Sequence, residues 1–249
     1  MAERFAHHSR LGWGQEMIVA TMQPTYLPWL GYFNMMAQAD VFVLLDNVQF
    51  AKRSWQQRNR IKTQQGELML TVPVLSAHKF HQRMSETLID TDSRFGTKHA
   101  KTIERSYSKA PYARHHMSEV LDLVSSGEGN LAQFNEAIIS WLALTLEIDT
   151  RIIRGSDLQA TGDKTQLTVN QLTEIGADTY FAAAGSRPYV STEPAFSESG
   201  IKVIFQDFQH PVYEQLHGPF ISHLASIDAL FNLGADQTRN LIDGRSIRR

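Results

Sequence analysis

The chain contains no cysteine. That excludes disulfides, thiolate nucleophiles and cysteine-ligated zinc or iron–sulfur centres, and it fits a cytoplasmic protein. No apolar run approaches the ~18–20 residues needed to cross a bilayer. The opening stretch, MAERFAHHSRLGWGQE, lacks the apolar middle of a secretory signal. An excess of one charge is missing too. The 24 Lys and Arg against 26 Asp and Glu leave a formal net charge of −2, where a general nucleic-acid binder would be basic. There is no G-x-S-x-G elbow, so a serine-hydrolase reading fails at its first step. His78 with His81, and His115 with His116, have no third ligand at metal spacing, so no metal is expected.

What remains is an ordinary globular composition, 42% hydrophobic over 249 residues, enough for one large domain or two small ones. Residues 1–16 read as a disordered extension, 17–243 as a single α/β domain and 244–249 as a frayed tail. Met17 could itself be a start. Ile18 to Met22 is a short apolar, β-branched strand. Pro24 and Pro28 force a turn, and Trp29, Leu30, Phe33 and Met36 follow helical spacing. Val41 to Leu45 is a second strand, completing a Rossmann-like βαβ unit. Residues 47–62 read as a polar, basic loop, and Leu68 to Val74 as a strand near an edge. A helical subregion follows over about 97–147, with helices at 97–108, 113–125 and 130–147. Strands are expected at Arg151–Arg154, Thr179–Ala183 and Val203–Phe208. Helices are expected at 163–176, capped by Asp163 and ended by Gly176, and at Ser222–Leu233. Strands alternating with helices make this an α/β fold with a mostly parallel sheet and flanking helices.

The groups able to carry chemistry gather after strand ends, where open parallel sheets bind ligands. Gln23, Tyr26, Trp29 and Tyr32 follow the first strand; the aromatics could equally be packed into the core. Asp46 ends the second strand, where a carboxylate can bind a ribose hydroxyl, act as a base, or simply form a turn. Lys52, Arg53, Arg58 and Arg60 share a stretch with Trp55 and Asn59. That local excess suggests an anion such as a diphosphate, with the tryptophan stacking on a flat ring. The Ala184–Tyr189 turn offers Ser186, Arg187 and Tyr189 to a phosphate, or is a plain turn. His210 sits with Tyr213 and Gln215 after the last long strand and is the best general-base candidate among the ten histidines. Asp228, amid Ile227, Leu230 and Phe231, either pairs internally or faces a cleft.

Several blocks in order resemble the WbqC-like protein family of bacteria. They are QPTYLPWLGYF, DVFVLLDNVQFAKRSWQQRNRIK, LTVPV, the Tyr107–Tyr112 segment, FQHPVYEQ and IDALFNLG. The resemblance spans about Met17 to Gly234. It implies a place among genes for surface polysaccharide such as O-antigen. It also implies transfer of an acyl or aminoacyl group to the amine of a nucleotide-linked amino sugar. An acyl-CoA or another activated acyl donor would be a co-substrate, with no tightly bound cofactor. His210, Gln23 and Asp46 would then be catalytic, and Lys52, Arg53 and Arg58 would hold a diphosphate. A fainter likeness is to the His-x-Gly-His turn of nucleotidyltransferases, with Trp29 and Tyr32 in place of both histidines around Gly31. It keeps nucleotide binding open as an alternative, beside a non-catalytic scaffold.

Overall fold

The computed structural model describes residues 16–77, 79 and 81–243. Most of the expected extension, the basic tail and His78 lie outside the described residues. Glu16, placed with the extension by sequence, is fastened to the sheet: it accepts a hydrogen bond from Thr179 Oγ1 and lies 3.7 Å from Lys202 Nζ.

In chain order the elements are β1 (Ile18–Met22), α1 (Leu30–Ala37), β2 (Val41–Leu44), β3 (Arg58–Thr63) and β4 (Gly66–Thr71). Then come α2 (Phe95–Tyr107), α3 (Ala113–Ser125), α4 (Leu131–Thr145), β5 (Arg151–Arg154), α5 (Lys164–Ile175) and β6 (Thr179–Ala182). The chain continues through α6 (Arg187–Val190), α7 (Pro194–Ser199), β7 (Lys202–Phe205), α8 (Ile227–Leu233) and α9 (Ala235–Asp243). Five strands form one sheet in the order β5-β2-β1-β6-β7. Every neighbouring pair is parallel. The central strands β1, β2 and β6 are buried along nearly their whole length. Their continuous apolar runs, with no polar alternation, follow from helices covering both faces.

Side-chain alternation divides the core. Ala20, Phe42 and Leu44 face the cluster built with α1, α2, α3, α4 and α8, while Val19, Val41, Val43 and Tyr180 face Val169 and Leu172 of α5 and Phe196 of α7. The chain runs outward from β1 through β2 to β5, then returns to β6 on the other side of β1. That reversal makes β1 and β6 the switch point of the sheet, where the carboxyl ends of the strands leave a crevice.

The structure corrects three expectations. Residues 58–63, expected as loop, form β3, which pairs antiparallel with β4 in a separate two-stranded sheet. The helix expected from Ser222 begins only at Ile227, and α9 had no counterpart in the expectations. Asp163 stands at the N-cap of α5, but its side chain makes no capping hydrogen bond.

His99 of α2 is buried beside Phe95, with Nδ1 2.9 Å from Tyr26 Oη. Burial pushes its pKa down to about 4 from 6.5. Above pH 6.5 neither the folded nor the unfolded chain protonates this ring. As pH falls from 6.5 towards 4 only the unfolded chain takes up the proton. Folding stability should therefore drop by about 3 kcal/mol across that window. Urea denaturation at pH 7 and pH 4.5 checks this, and a His99→Gln variant should show a flatter acid limb.

Candidate functional site

The loop leaving β1 is clamped by β3 and the residues before it. Tyr26 N–H donates to Trp55 O at 3.1 Å, and Asn59 Nδ2 donates to Tyr26 O at 3.2 Å and Leu27 O at 2.6 Å. Leu27 is held at φ +45° in the process, a conformation costing a side chain roughly 1–2 kcal/mol. Trp29 is the N-cap of α1, and its indole folds back over Gly31. A Cβ at Gly31 would lie 2.2 Å from the ring. Gly31→Ala must therefore push the indole away, at a cost of about 1–3 kcal/mol for overpacking. The expected readout is a changed tryptophan emission spectrum with a lower urea midpoint. At the far end, Gln206 after β7 donates through Nε2 to Gly31 O at 2.7 Å and to Asn34 Oδ1 at 2.8 Å. The first turn of α1 is thus pinned from both sides.

At this carboxyl end of β1 a cavity of about 280 Å³ opens, lined by Met22, Thr25, Trp29, Tyr32, Trp55, Asn59, Arg60 and His223. It is just below the ~300–1,000 Å³ typical of small-molecule sites. Its walls are mainly aromatic, and its polar groups are few and fixed. The Arg60 guanidinium lies 5.7 Å from the Trp55 ring centre and bonds Glu67 at 2.8 Å. Its Nε is buried without a partner among the described residues.

Two histidines close the site from the segment after β7. His223 stacks on Trp29 with ring centres 4.9 Å apart, and His210 lies 4.8 Å from His223. His223 adopts φ +59°. Its neighbours are tied down by Ala225 N–H to Arg60 O and Ser226 N–H to Pro28 O, both 2.8 Å. Backbone strain held in place by its surroundings is typical of functional sites. His210 Nδ1–H donates to Pro211 O at 3.0 Å, which leaves Nε2 as the basic nitrogen; that atom is buried and without a partner among the described residues. Burial lowers both pKa values, opposed at His210 by the Pro211 carbonyl and reinforced at His223 by Arg60. Both rings are therefore neutral at pH 7.

A buried network holds this segment. Asp228 accepts from Tyr107 Oη at 2.9 Å, Tyr213 Oη at 2.8 Å and Gln215 Nε2 at 2.8 Å. The equally buried Lys62 donates through Nζ to Gly218 O at 3.0 Å, Pro219 O at 2.7 Å and Gln215 Oε1 at 3.2 Å. Burial raises the pKa of Asp228 and lowers that of Lys62, while attraction between the two opposes both shifts.

Sequence comparison bears on the same residues. The WbqC-like protein family matches residues 23–240. The chain belongs to this family. A Mycobacterium tuberculosis (strain ATCC 25618 / H37Rv) relative, named "Uncharacterized protein Rv1507c", is 36% identical over 225 residues, covering 88% of this chain and 94% of the relative. No solved structure matches. Membership in the WbqC-like family supports a protein associated with polysaccharide gene clusters. Among the described residues no helix is long and apolar enough to cross a membrane. No group of three or more His, Asp or Glu among them is placed to hold a metal ion.

Of the candidate residues in this WbqC-like chain, Trp29, Tyr32, Trp55 and Asn59 meet at the cavity and His210 stands against its wall. Tyr213 and Gln215 belong to the Asp228 network behind it. Others are placed elsewhere. Tyr26 is fully buried, stacked on Phe134, and out of reach of a ligand. Asp46 is not an open carboxylate: Ser156 N–H and Oγ–H occupy its two oxygens at 2.8 and 2.6 Å, so it fastens the turn after β5. Gln23 accepts from Gln56 Nε2 at 2.8 Å and does not line the cavity. Lys52, Arg53 and Arg58 do not line it either. Lys52 Nζ donates to Ser76 O at 3.2 Å, and the exposed Arg53 sits at φ +60°. Ser186 is buried with its hydroxyl on Ala183 O at 2.7 Å, and Tyr189 is 55% exposed beside Val190 of the second core cluster. His223 was not singled out by the sequence. Its only signal was a histidine five residues before Asp228.

Proposed function

We propose that the chain is a transferase that moves an acyl or aminoacyl group onto the amine of a nucleotide-linked amino sugar. The observation that carries this reading is the stacked Trp29–His223–His210 group, with a basic nitrogen that has no partner among the described residues at its end, beside an aromatic cavity that also holds Arg60. An aromatic wall suits a sugar or base ring, and a guanidinium stacked on Trp55 suits an anionic group on it. Arg60 takes the role that the sequence suggested for Lys52, Arg53 and Arg58.

In the reaction the amine nitrogen attacks the acyl carbonyl, forming the C–N bond as the bond to the donor's leaving group breaks. The proton lost by nitrogen passes to a neutral imidazole, His223 at the cavity or His210 behind it, and then to the leaving group. Nucleotidyl transfer is disfavoured because the Trp29 indole covers Gly31, the place where a phosphate would need close approach.

The test incubates the chain with acetyl-CoA or an aminoacyl donor and a nucleotide-linked amino sugar, and reads the sugar's mass. A gain of one acyl unit per sugar, dependent on His223 or His210, supports the reading. Ligand binding without any mass change would favour a non-catalytic scaffold.

A further inference from the structure

A second cavity, of about 660 Å³, lies on the same carboxyl rim of the sheet but beyond β2 rather than β1. Its walls are residues 47–49, which follow β2, residues 81 and 83, and residues 160–164 and 167, which follow β5 and enter α5. β2 and β5 are parallel neighbours paired as far as Leu44 and Arg154, so both loops leave the sheet in the same direction. The side chains brought together include Asn47, His81, Arg83 and Lys164, and among the described residues Asp163 is the one carboxylate lining it.

The walls are tied in place. Glu174 accepts Gln159 N–H at 2.9 Å and Ala160 N–H at 2.7 Å, and Asn170 Nδ2 donates to Thr161 O at 2.7 Å. Opposite, Met84 N–H donates to Val48 O at 2.9 Å and Phe50 N–H to Gln82 O at 2.9 Å. Asp46, through Ser156, and Asn47, through Gly155 O at 3.0 Å, lock the two strand exits together. Asn47 Oδ1 is buried without a partner among the described residues, and Lys164 is held at φ +48° at the first position of its helix. A cleft whose walls need no rearrangement loses little affinity to ordering. One lined by two cations, Arg83 and Lys164, against a single carboxylate favours an anion.

We infer that this cleft is a second ligand site, taking the phosphate or diphosphate of a small molecule on Arg83, Lys164 and His81. The inference rests on this cleft's own geometry and holds whether or not acyl transfer is the reaction. If it is, the two cavities on one rim hold two substrates at once. Asp46 then keeps a place near the chemistry as the residue that fixes the wall between strand exits.

Isothermal titration of the full chain with inorganic pyrophosphate tests it. Wild type should bind, and Arg83→Gln/Lys164→Gln should weaken binding by tenfold or more. Lys101→Gln, an exposed cation of α2 that lines neither cavity, should leave it within twofold. The replaced side chains of the double variant are exposed, so the fold should survive. Should the double variant fail to fold, Arg83→Gln alone serves, with a threefold or greater loss expected. Absence of pyrophosphate binding, binding indifferent to Arg83 and Lys164, or binding lost equally in Lys101→Gln would each overturn the inference. None of these outcomes bears on the acyl-transfer assay.

Discussion

Asp228→Ala is expected to lower the stability of the chain by about 3 kcal/mol or more, because each buried donor left unsatisfied costs roughly 1–3 kcal/mol. The substitution strands three donors at once, from Tyr107, Tyr213 and Gln215, and leaves the buried Lys62 charge without its compensating carboxylate. Each stranded donor keeps its desolvation penalty and loses its return. Lys62→Met should be costly for the mirror-image reason, leaving Gly218 O, Pro219 O and Gln215 Oε1 without the ammonium. Because both changes damage one network, the double variant should lose less than the sum of the singles. Urea denaturation of the four proteins measures this. A loss under 1 kcal/mol for Asp228→Ala would mean that the network is not what fixes the 208–226 segment.

His210→Ala is expected to lower the acyl-transfer rate by about 10²–10⁴, the range of a general base. His223→Ala should fall in the same range, because its ring is the one that lines the cavity and His210 contacts Trp29 and His223 behind it. If the two imidazoles act as one unit, the double variant will be no slower than the slower single. The pH profile supplies a second readout. Both rings have lowered pKa values, so the rate should stay level through neutrality and fall only as pH drops below the ordinary histidine value of about 6.5. A near-normal rate in His210→Ala would remove that residue from the chemistry and leave His223 as the base.

The strands of the main sheet and the helix after β1 were legible because their apolar runs depend only on neighbours in sequence. β3 was not. Its residues RNRIKT are polar apart from Ile61, and its buried polar members, Asn59 and Lys62, are held by distant partners: Tyr26 and Leu27 for Asn59, and Tyr107, Gln215, Gly218 and Pro219 for Lys62. The surroundings of Asp46 were hidden for the same reason. A carboxylate at a strand end looks free until Ser156, 110 residues away, is seen to occupy it. Trp29 and Trp55 line one cavity, and the His210 ring stacks on Trp29. The turn at Ala184–Tyr189 shares the rim but packs Val190 into the core cluster that contains Val19 and Tyr180, and so lies outside the cavity. His223 stood in what reads as the first turn of a helix. Only the left-handed backbone there, set by Arg60 and Pro28, turns its ring onto Trp29.

The claim on which the rest depends is that the cavity at the end of β1 is where substrate sits. A thermal-shift titration of nucleotide sugars, coenzyme A thioesters and nucleoside triphosphates against wild type, Arg60→Gln and Trp55→Ala tests it most directly. One of the first two classes, at about 100 times its dissociation constant, should stabilise wild type by about 2.7 kcal/mol, and both variants should lose most of that gain. Stabilisation that is undiminished in both variants, or found only with nucleoside triphosphates, would contradict it.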